Sequence, residues 1–209
     1  MNALKRPAET SAPIHDVFKY RWSPRAFESR PVEPEKLRSL FEAARWAASS
    51  YNAQPWYYIV ATKDDPENFK RVVGCFGEFN QSWAKKAPVL ALSVARLKFE
   101  HNGEPNRHAF HDVGQASANL AAQASELGLQ AHQLAGIDPE KARRIFEVPE
   151  GFEVVAGLAL GYPGDPESLP DPLRERELAP RERKPLSLFV FAGHWGKPSP
   201  ILGAGAAQE

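Results

Sequence analysis

One stretch constrains the fold more than any other. Across residues 112–127, Val113, Ala116, Leu120, Ala124 and Leu127 recur at helical spacing, and Gly128 stands where a helix end favours a left-handed residue. The segment is rich in alanine and carries Gly114, so little holds a neighbour away from it. It predicts a long helix that packs closely, with a second copy of the chain as one candidate partner. Around it lie apolar runs of strand length at 57–61, 88–95 and 152–160. Pro34 opens a further helix with Leu37, Leu40, Phe41 and Ala44 on one face, and Asp138-Pro139 starts another that runs through Ile145-Phe146. A short helix over 14–18 precedes them. The chain therefore mixes helices and strands.

At 209 residues a single domain is the simplest expectation. Lysine and arginine balance aspartate and glutamate, which argues against nucleic acid or an anionic membrane as partner. No apolar run reaches transmembrane length, and the polar start lacks a secretory core. The single cysteine, Cys75, fits a reducing compartment and reads as a small packing residue, so the cytoplasm is the expected location. Residues 1–13 read as a flexible arm and 198–209 as a tail that frays. Residues 162–185 hold six prolines and eleven charged residues, and an apolar run at 186–191 follows. That pattern predicts an extended, ordered arm carrying a terminal strand.

Two polar clusters flank the helix that Pro34 opens. The first is Arg21-Trp22-Ser23-Pro24-Arg25; the second is Ser49-Ser50-Tyr51-Asn52-Ala53-Gln54-Pro55-Trp56, leading straight into the run at 57–61. An arginine–serine–arginine spacing alone says little, because charges usually sit on solvated loops. The second cluster is rarer, with two hydroxyls, two amides, a proline and a tryptophan in eight residues. Together they offer cations and hydroxyls for a phosphate, amides for a ring edged with donors and acceptors, and a turn to fix them. That is the inventory a flavin mononucleotide needs.

Over residues 14–195 the chain resembles the nitroreductase family of FMN-dependent oxidoreductases. Beyond the two clusters, the likeness extends to Ala87-Pro88 before a strand, to Asp112-Val113-Gly114-Gln115, to Ala135-Gly136, and to Arg181-Glu182-Arg183-Lys184-Pro185. The resemblance implies an α+β fold, in which helices flank a central, mainly antiparallel sheet. It implies an intertwined homodimer that exchanges its C-terminal arm and strand (162–197 of a domain spanning 14–197), with two FMN sites in the interface.

It also implies roles. Arg21 and Ser23 match positions that meet the FMN phosphate and ribityl chain, and Arg181 and Arg183 match distal cations that close around the same phosphate. Arg25 matches a cation beside the pyrimidine edge of the ring, where it favours the negative charge that two-electron reduction leaves. Ser49, Ser50 and Asn52, with Gln54 in the same loop, match residues that reach the flavin from the opposite subunit. Ala135 and Gly136 match a turn whose backbone N–H faces the reactive N5, with glycine allowing close approach. One subgroup of the family has an acidic residue where this chain has Ala135, so only a backbone role carries over. Asn80 and Gln81 stand as alternative further ring contacts.

No catalytic side chain is implied. NADH or NADPH delivers hydride to the flavin, leaves, and a small electron-poor acceptor such as a nitroaromatic or quinone takes the electrons in a ping-pong cycle. One pocket serves donor and acceptor in turn, so no separate nicotinamide motif is required. Rival readings use the same fold for flavin fragmentation, reductive dehalogenation or dehydrogenation, or as a flavin-binding sensor or carrier. Residues 96–110 read as a mobile cover over the site without deciding among these. His108-x-x-His111-Asp112 lacks the second ligand cluster a metal needs. Gly157 to Gly164 lacks dinucleotide-binding spacing, and Trp46, Trp83 and Trp195 read as core or interface residues.

Overall fold

The computed structural model describes residues 6–203. The chain separates into two compact units, 1–179 and 180–209. The larger holds seven helices, α1 (Asp16–Tyr20), α2 (Pro34–Arg45), α3 (Pro66–Val73), α4 (Glu78–Ala84), α5 (Ala109–Glu126), α6 (Pro139–Phe146) and α7 (Asp171–Leu178). Its strands are β1 (Trp56–Thr62), β2 (Val89–Arg96), β3 (Gln130–Leu134) and β4 (Phe152–Gly161).

Local chemistry explains the boundaries. Asp65 and Asp138 cap α3 and α6 by accepting the N–H groups of Asn68 at 3.1 Å and Lys141 at 2.9 Å, each with proline at the first helical position. The end of α5 is closed by Gly128 at φ +74°. Its N–H donates to the Ser125 carbonyl, and the Leu129 N–H donates to the Ala124 carbonyl at 2.8 Å. That pair of bonds satisfies two carbonyls the helix would otherwise leave open.

The sheet order is β1-β2-β4-β3 and every pairing is antiparallel, with an irregularity at Ser93/Val94. Helices cover both faces. Leu90, Leu92 and Val94 of β2 face Phe69, Val72, Trp83 and Leu173 from α3, α4 and α7. The alternating Val89 and Ala91 face Leu40, Ala116, Leu120 and Ala124 from α2 and α5. Seven of the eight β2 residues are buried, as a strand covered on both faces requires. The expected α+β architecture is present. Among the described residues, no helix is long and apolar enough to cross a membrane.

Two expectations are corrected. Residues 162–179 do not form an extended arm: Pro166–Ser168 make a 3₁₀ turn, α7 follows, and Leu169 and Leu173 enter the core. The proline-rich text hides this helix because Pro172 sits at its start, where no N–H is needed. In the smaller unit, the expected strand at 186–191 is a 3₁₀ turn, Leu186–Leu188, followed by a single bridge between Phe191 and Pro198. Without a neighbouring strand, its backbone groups bond locally, as in Ser199 N–H to the Val190 carbonyl at 2.9 Å. Of the expected fraying ends, 1–5 and 204–209 lie outside the described residues.

Candidate functional site

The first polar cluster runs beside β3, but side chains hold it where a strand ladder would. Gln130 and His132 alternate along β3 and point to the same face. Gln130 accepts the Trp22 N–H at 3.0 Å and donates to the Tyr20 carbonyl at 3.2 Å. The His132 Nδ1 bonds the Pro24 carbonyl at 2.8 Å. Glu177 of α7 accepts the Arg25 N–H at 2.8 and 3.0 Å and the Ala26 N–H at 3.0 Å. Three polar side chains thus fix the backbone of residues 20–26, leaving Ser23 exposed and Arg21 and Arg25 half-buried.

Electrostatics follow from this placement. Arg21 Nη1 lies 3.5 Å from Ser23 Oγ as donor to acceptor. Arg25 Nη1 is 3.8 Å from Glu177 Oε2, an ion pair rather than a hydrogen bond. Its Nε is buried and meets no partner among the described residues. Burial lowers the Arg25 pKa, the Glu177 charge opposing, and burial raises the Glu177 carboxyl despite the two backbone donors. The His132 ring lies 4.6 Å from the Trp83 ring, and its pKa falls to about 4, through burial first and the nearby Arg25 and Arg21 cations as smaller causes. A neutral His132 whose Nδ1 faces a carbonyl must carry its proton on Nδ1.

The turn after β3 completes this side. The Gly136 carbonyl accepts from the Gly77 N–H at 2.9 Å and from Asn80 Nδ2 at 3.0 Å. A Cβ on Gly136 would stand 2.3 Å from Asn80 Nδ2, so a larger residue here would push the Asn80 amide off the Gly136 carbonyl. Ala135 and Gly136 are exposed. Asn80 and Gln81 are both engaged in fixing backbone, since the Gln81 amide donates to the Phe76 carbonyl at 2.6 Å.

The second cluster is built on α5. Buried Asp112 accepts the Ser50 N–H at 3.0 Å, and Ser49 Oγ accepts the Gln54 N–H at 3.0 Å. Gln115 donates to the Ala48 carbonyl at 3.4 Å, and the Gln54 amide donates to the Asn52 carbonyl at 3.2 Å. Tyr51, Asn52 and Gln54 take φ values of +52°, +53° and +46°, a run of left-handed residues that is costly without glycine. They line an open cleft of ≈ 470 Å³ with Tyr57, Glu100 and His101. The segment expected to be a mobile cover is a hydrogen-bonded excursion: Phe99 N–H donates to the Glu104 carbonyl at 2.8 Å, Lys98 bridges Pro105, and the Phe99 ring meets Tyr51 edge-on at 5.7 Å.

The two clusters do not meet. One precedes β1 and the other flanks β3, the opposite edges of a four-stranded sheet, so three strand spacings, about 14 Å, separate them across the sheet. The register sets them apart along the strands as well, with Trp56 level with Glu153 of β4 and His132 level with Ala159. Arg181 and Arg183 lie in the smaller unit, in the irregular segment before Leu186. His132, Glu177, Gln130 and Asp112 were absent from the expected set. A signal existed for Gln130 and His132, two polar residues at strand spacing straight after a predicted helix end. None existed for Glu177, a glutamate in a charge-rich run. Among the described residues, no group of three His, Cys, Asp or Glu suited to a metal occurs. Trp83 is core, whereas Trp46 and Trp195 are 75% and 94% exposed.

Comparison with known proteins agrees with this fold. The nitroreductase family model matches residues 18–162. A crystal structure of an FMN-containing oxidoreductase superposes with a TM-score of 0.85 at 38% identity, covering 90% of this chain and 95% of the other. An uncharacterized 15.4 kDa protein of Mycolicibacterium smegmatis is 37% identical over 63% of this chain and 87% of its own length. The major NAD(P)H-flavin oxidoreductase of Aliivibrio fischeri is 27% identical over 71% of this chain and 86% of its own. The matched span runs from α1 past the end of β4 and takes in both polar clusters and the turn after β3, so the chain belongs to the nitroreductase family.

Proposed function

We propose that this protein binds FMN and uses it to pass hydride from NADH or NADPH to a small electron-poor acceptor, such as a nitroaromatic or a quinone. The observation that carries the proposal is the strap of residues 20–26, whose backbone is pinned by Gln130, His132 and Glu177 so that it presents two cations and a hydroxyl. The donor set fits the cofactor: Arg21 and Ser23 suit a phosphate, and Arg25, with its unpartnered buried Nε, suits a ring that gains negative charge. Bound FMN supplies the two-electron chemistry.

The remaining roles belong to this chain. The exposed Ala135-Gly136 turn, tied back through the Gly136 carbonyl, offers a backbone N–H to the ring. Ser49, Ser50, Asn52 and Gln54 lie at the opposite edge of the sheet from the strap. That separation supports a composite site, with the strap of one subunit facing the Ser49–Gln54 loop of its partner in a homodimer. The long α5 face of small residues suits such a contact, and Arg181 and Arg183 are assigned to the phosphate as distal cations. The Tyr51 cleft then takes nicotinamide and acceptor in turn. Neither nucleic acid nor membrane is a partner in this reading, and a cytoplasmic location goes with it.

The test is a comparison of FMN with riboflavin. Wild type should bind FMN more tightly. Arg21→Ala should lose about 1.5–3 kcal/mol of FMN affinity, the worth of a charge-assisted bond, and leave riboflavin nearly unchanged. Equal affinity of wild type for the two flavins refutes the phosphate assignment. Purified protein that is yellow but not bleached by either nicotinamide favours a flavin-binding carrier instead.

A further inference from the structure

Glu177 is the most deeply buried acid among the described residues, 1% exposed, with its side chain at 0%. It sits on α7, outside the span that the family model matches. Its carboxylate oxygens are occupied by backbone: Oε1 accepts from Arg25 and Ala26, and Oε2 from Arg25. The Arg25 guanidinium stands 3.8 Å off, close enough to feel the charge and too far to spend an N–H on it. One amide oxygen in place of Oε1 could accept from both the Arg25 and the Ala26 N–H without the desolvation that burying a full charge costs, with the amide nitrogen then facing the Arg25 N–H that Oε2 now accepts. The backbone role accounts for part of the need for a carboxylate. Other charges act on the pair as well: Arg176 opposes the Arg25 cation, and Arg6 attracts Glu177 and bonds its carbonyl.

We propose that Glu177 is a positioning residue that sets both the place and the effective charge of Arg25, and thereby lowers the electron affinity of the bound flavin. The proposal rests on the reading that Arg25 stands beside the flavin ring. In this arrangement the carboxylate fixes Arg25 through its main chain, leaves the guanidinium donors for the ligand, and partly cancels the cation's field. The flavin is thereby held at a lower potential than an unbalanced arginine would give, so that reduced flavin passes electrons on more readily.

The test is a redox titration at saturating FMN of wild type, Arg25→Gln and Glu177→Gln, with apoprotein melting measured alongside. A purely structural Glu177 predicts that both variants weaken FMN retention and melting, with no opposed effect on potential. The proposal predicts opposite signs. Arg25→Gln lowers the ratio of reduced to oxidised FMN affinity. Glu177→Gln raises it by roughly tenfold, equivalent to about 30 mV for a two-electron couple. Glu177→Asp, which keeps the charge but draws it back from Arg25, should raise the potential by less, and serves if the glutamine variant does not fold. If Arg25→Gln leaves the potential unchanged, the placement of Arg25 is wrong and this proposal falls with it. If Arg25→Gln lowers the potential while neither Glu177 variant raises it, the role of Arg25 stands and Glu177 is only scaffold.

Discussion

His132 offers a test of the strap that needs no ligand. Its folded pKa is about 4, and an unfolded histidine titrates near 6.5. The folded value is depressed, so protonation favours the unfolded chain. The stability that neutral His132 supports is complete above about pH 6.5 and is lost as pH falls toward 4. Each pH unit between the two values is worth about 1.4 kcal/mol, and linkage over the window from pH 7.5 to 4.5 gives a loss of about 2.5 kcal/mol from this one group. His132→Gln keeps an N–H for the Pro24 carbonyl and cannot titrate. It should cost stability at pH 7.5, because the contact with the Trp83 ring is lost. Its further loss between pH 7.5 and 4.5 should be smaller than that of wild type by about 2.5 kcal/mol. Urea denaturation of both proteins at the two pH values, at one protein concentration, reads this difference directly, since other titrating groups are common to both. Equal pH losses in the two proteins would mean that His132 is not the buried neutral base the geometry requires.

Two further perturbations follow from the structure. Gly157→Ala would place a Cβ 2.7 Å from Leu134 and 2.8 Å from Phe76, the residues that lead into Ala135-Gly136 and Gly77. It should destabilise by about 1–3 kcal/mol, and an unchanged melting temperature would contradict the packing described. Asp112→Ala should leave the half-buried Ser50 N–H unpaired at a cost of about 1–3 kcal/mol and speed hydrogen exchange at that amide, and undiminished Ser50 protection would place the loop's anchor elsewhere.

Periodicity made the core legible and little else. The faces of α2 and α5 could be read because their apolar residues repeat at helical spacing and bury against the sheet. The runs that became β2 and β4 were legible because strands covered on both sides are continuously apolar. The Asp65-Pro66 start of α3 carries the same signal as the Asp138-Pro139 start of α6, but the helix is short and lies outside the longer apolar repeats. α7 was masked for a physical reason. Its apolar stripe is only Leu173 and Leu178, and the rest of the helix is charged, so no periodic face stands out. The run at 186–191 misled in the opposite sense. Apolar residues in a row describe a strand only where a partner strand exists to take the backbone bonds, and composition cannot report that partner.

The site was legible where residue chemistry is local and illegible where it depends on topology. Arg21, Ser23 and Arg25 announce themselves within five residues, as do the hydroxyls and amides of 49–54. What gives the first cluster its shape comes from 108 to 152 positions away: Gln130 and His132 on β3, and Glu177 on α7. Spacing cannot foretell these, because they act on backbone groups, which every residue possesses. The same limit explains why two clusters separated by one helix in sequence lie at opposite edges of the sheet. β1 follows the second cluster directly, whereas the first returns to pack beside β3, the last strand in the spatial order. A single chain therefore places its polar inventory in two clusters at opposite edges of the sheet. In the proposed function the loop of one copy meets the strap of another, which would tie the oligomer to the chemistry.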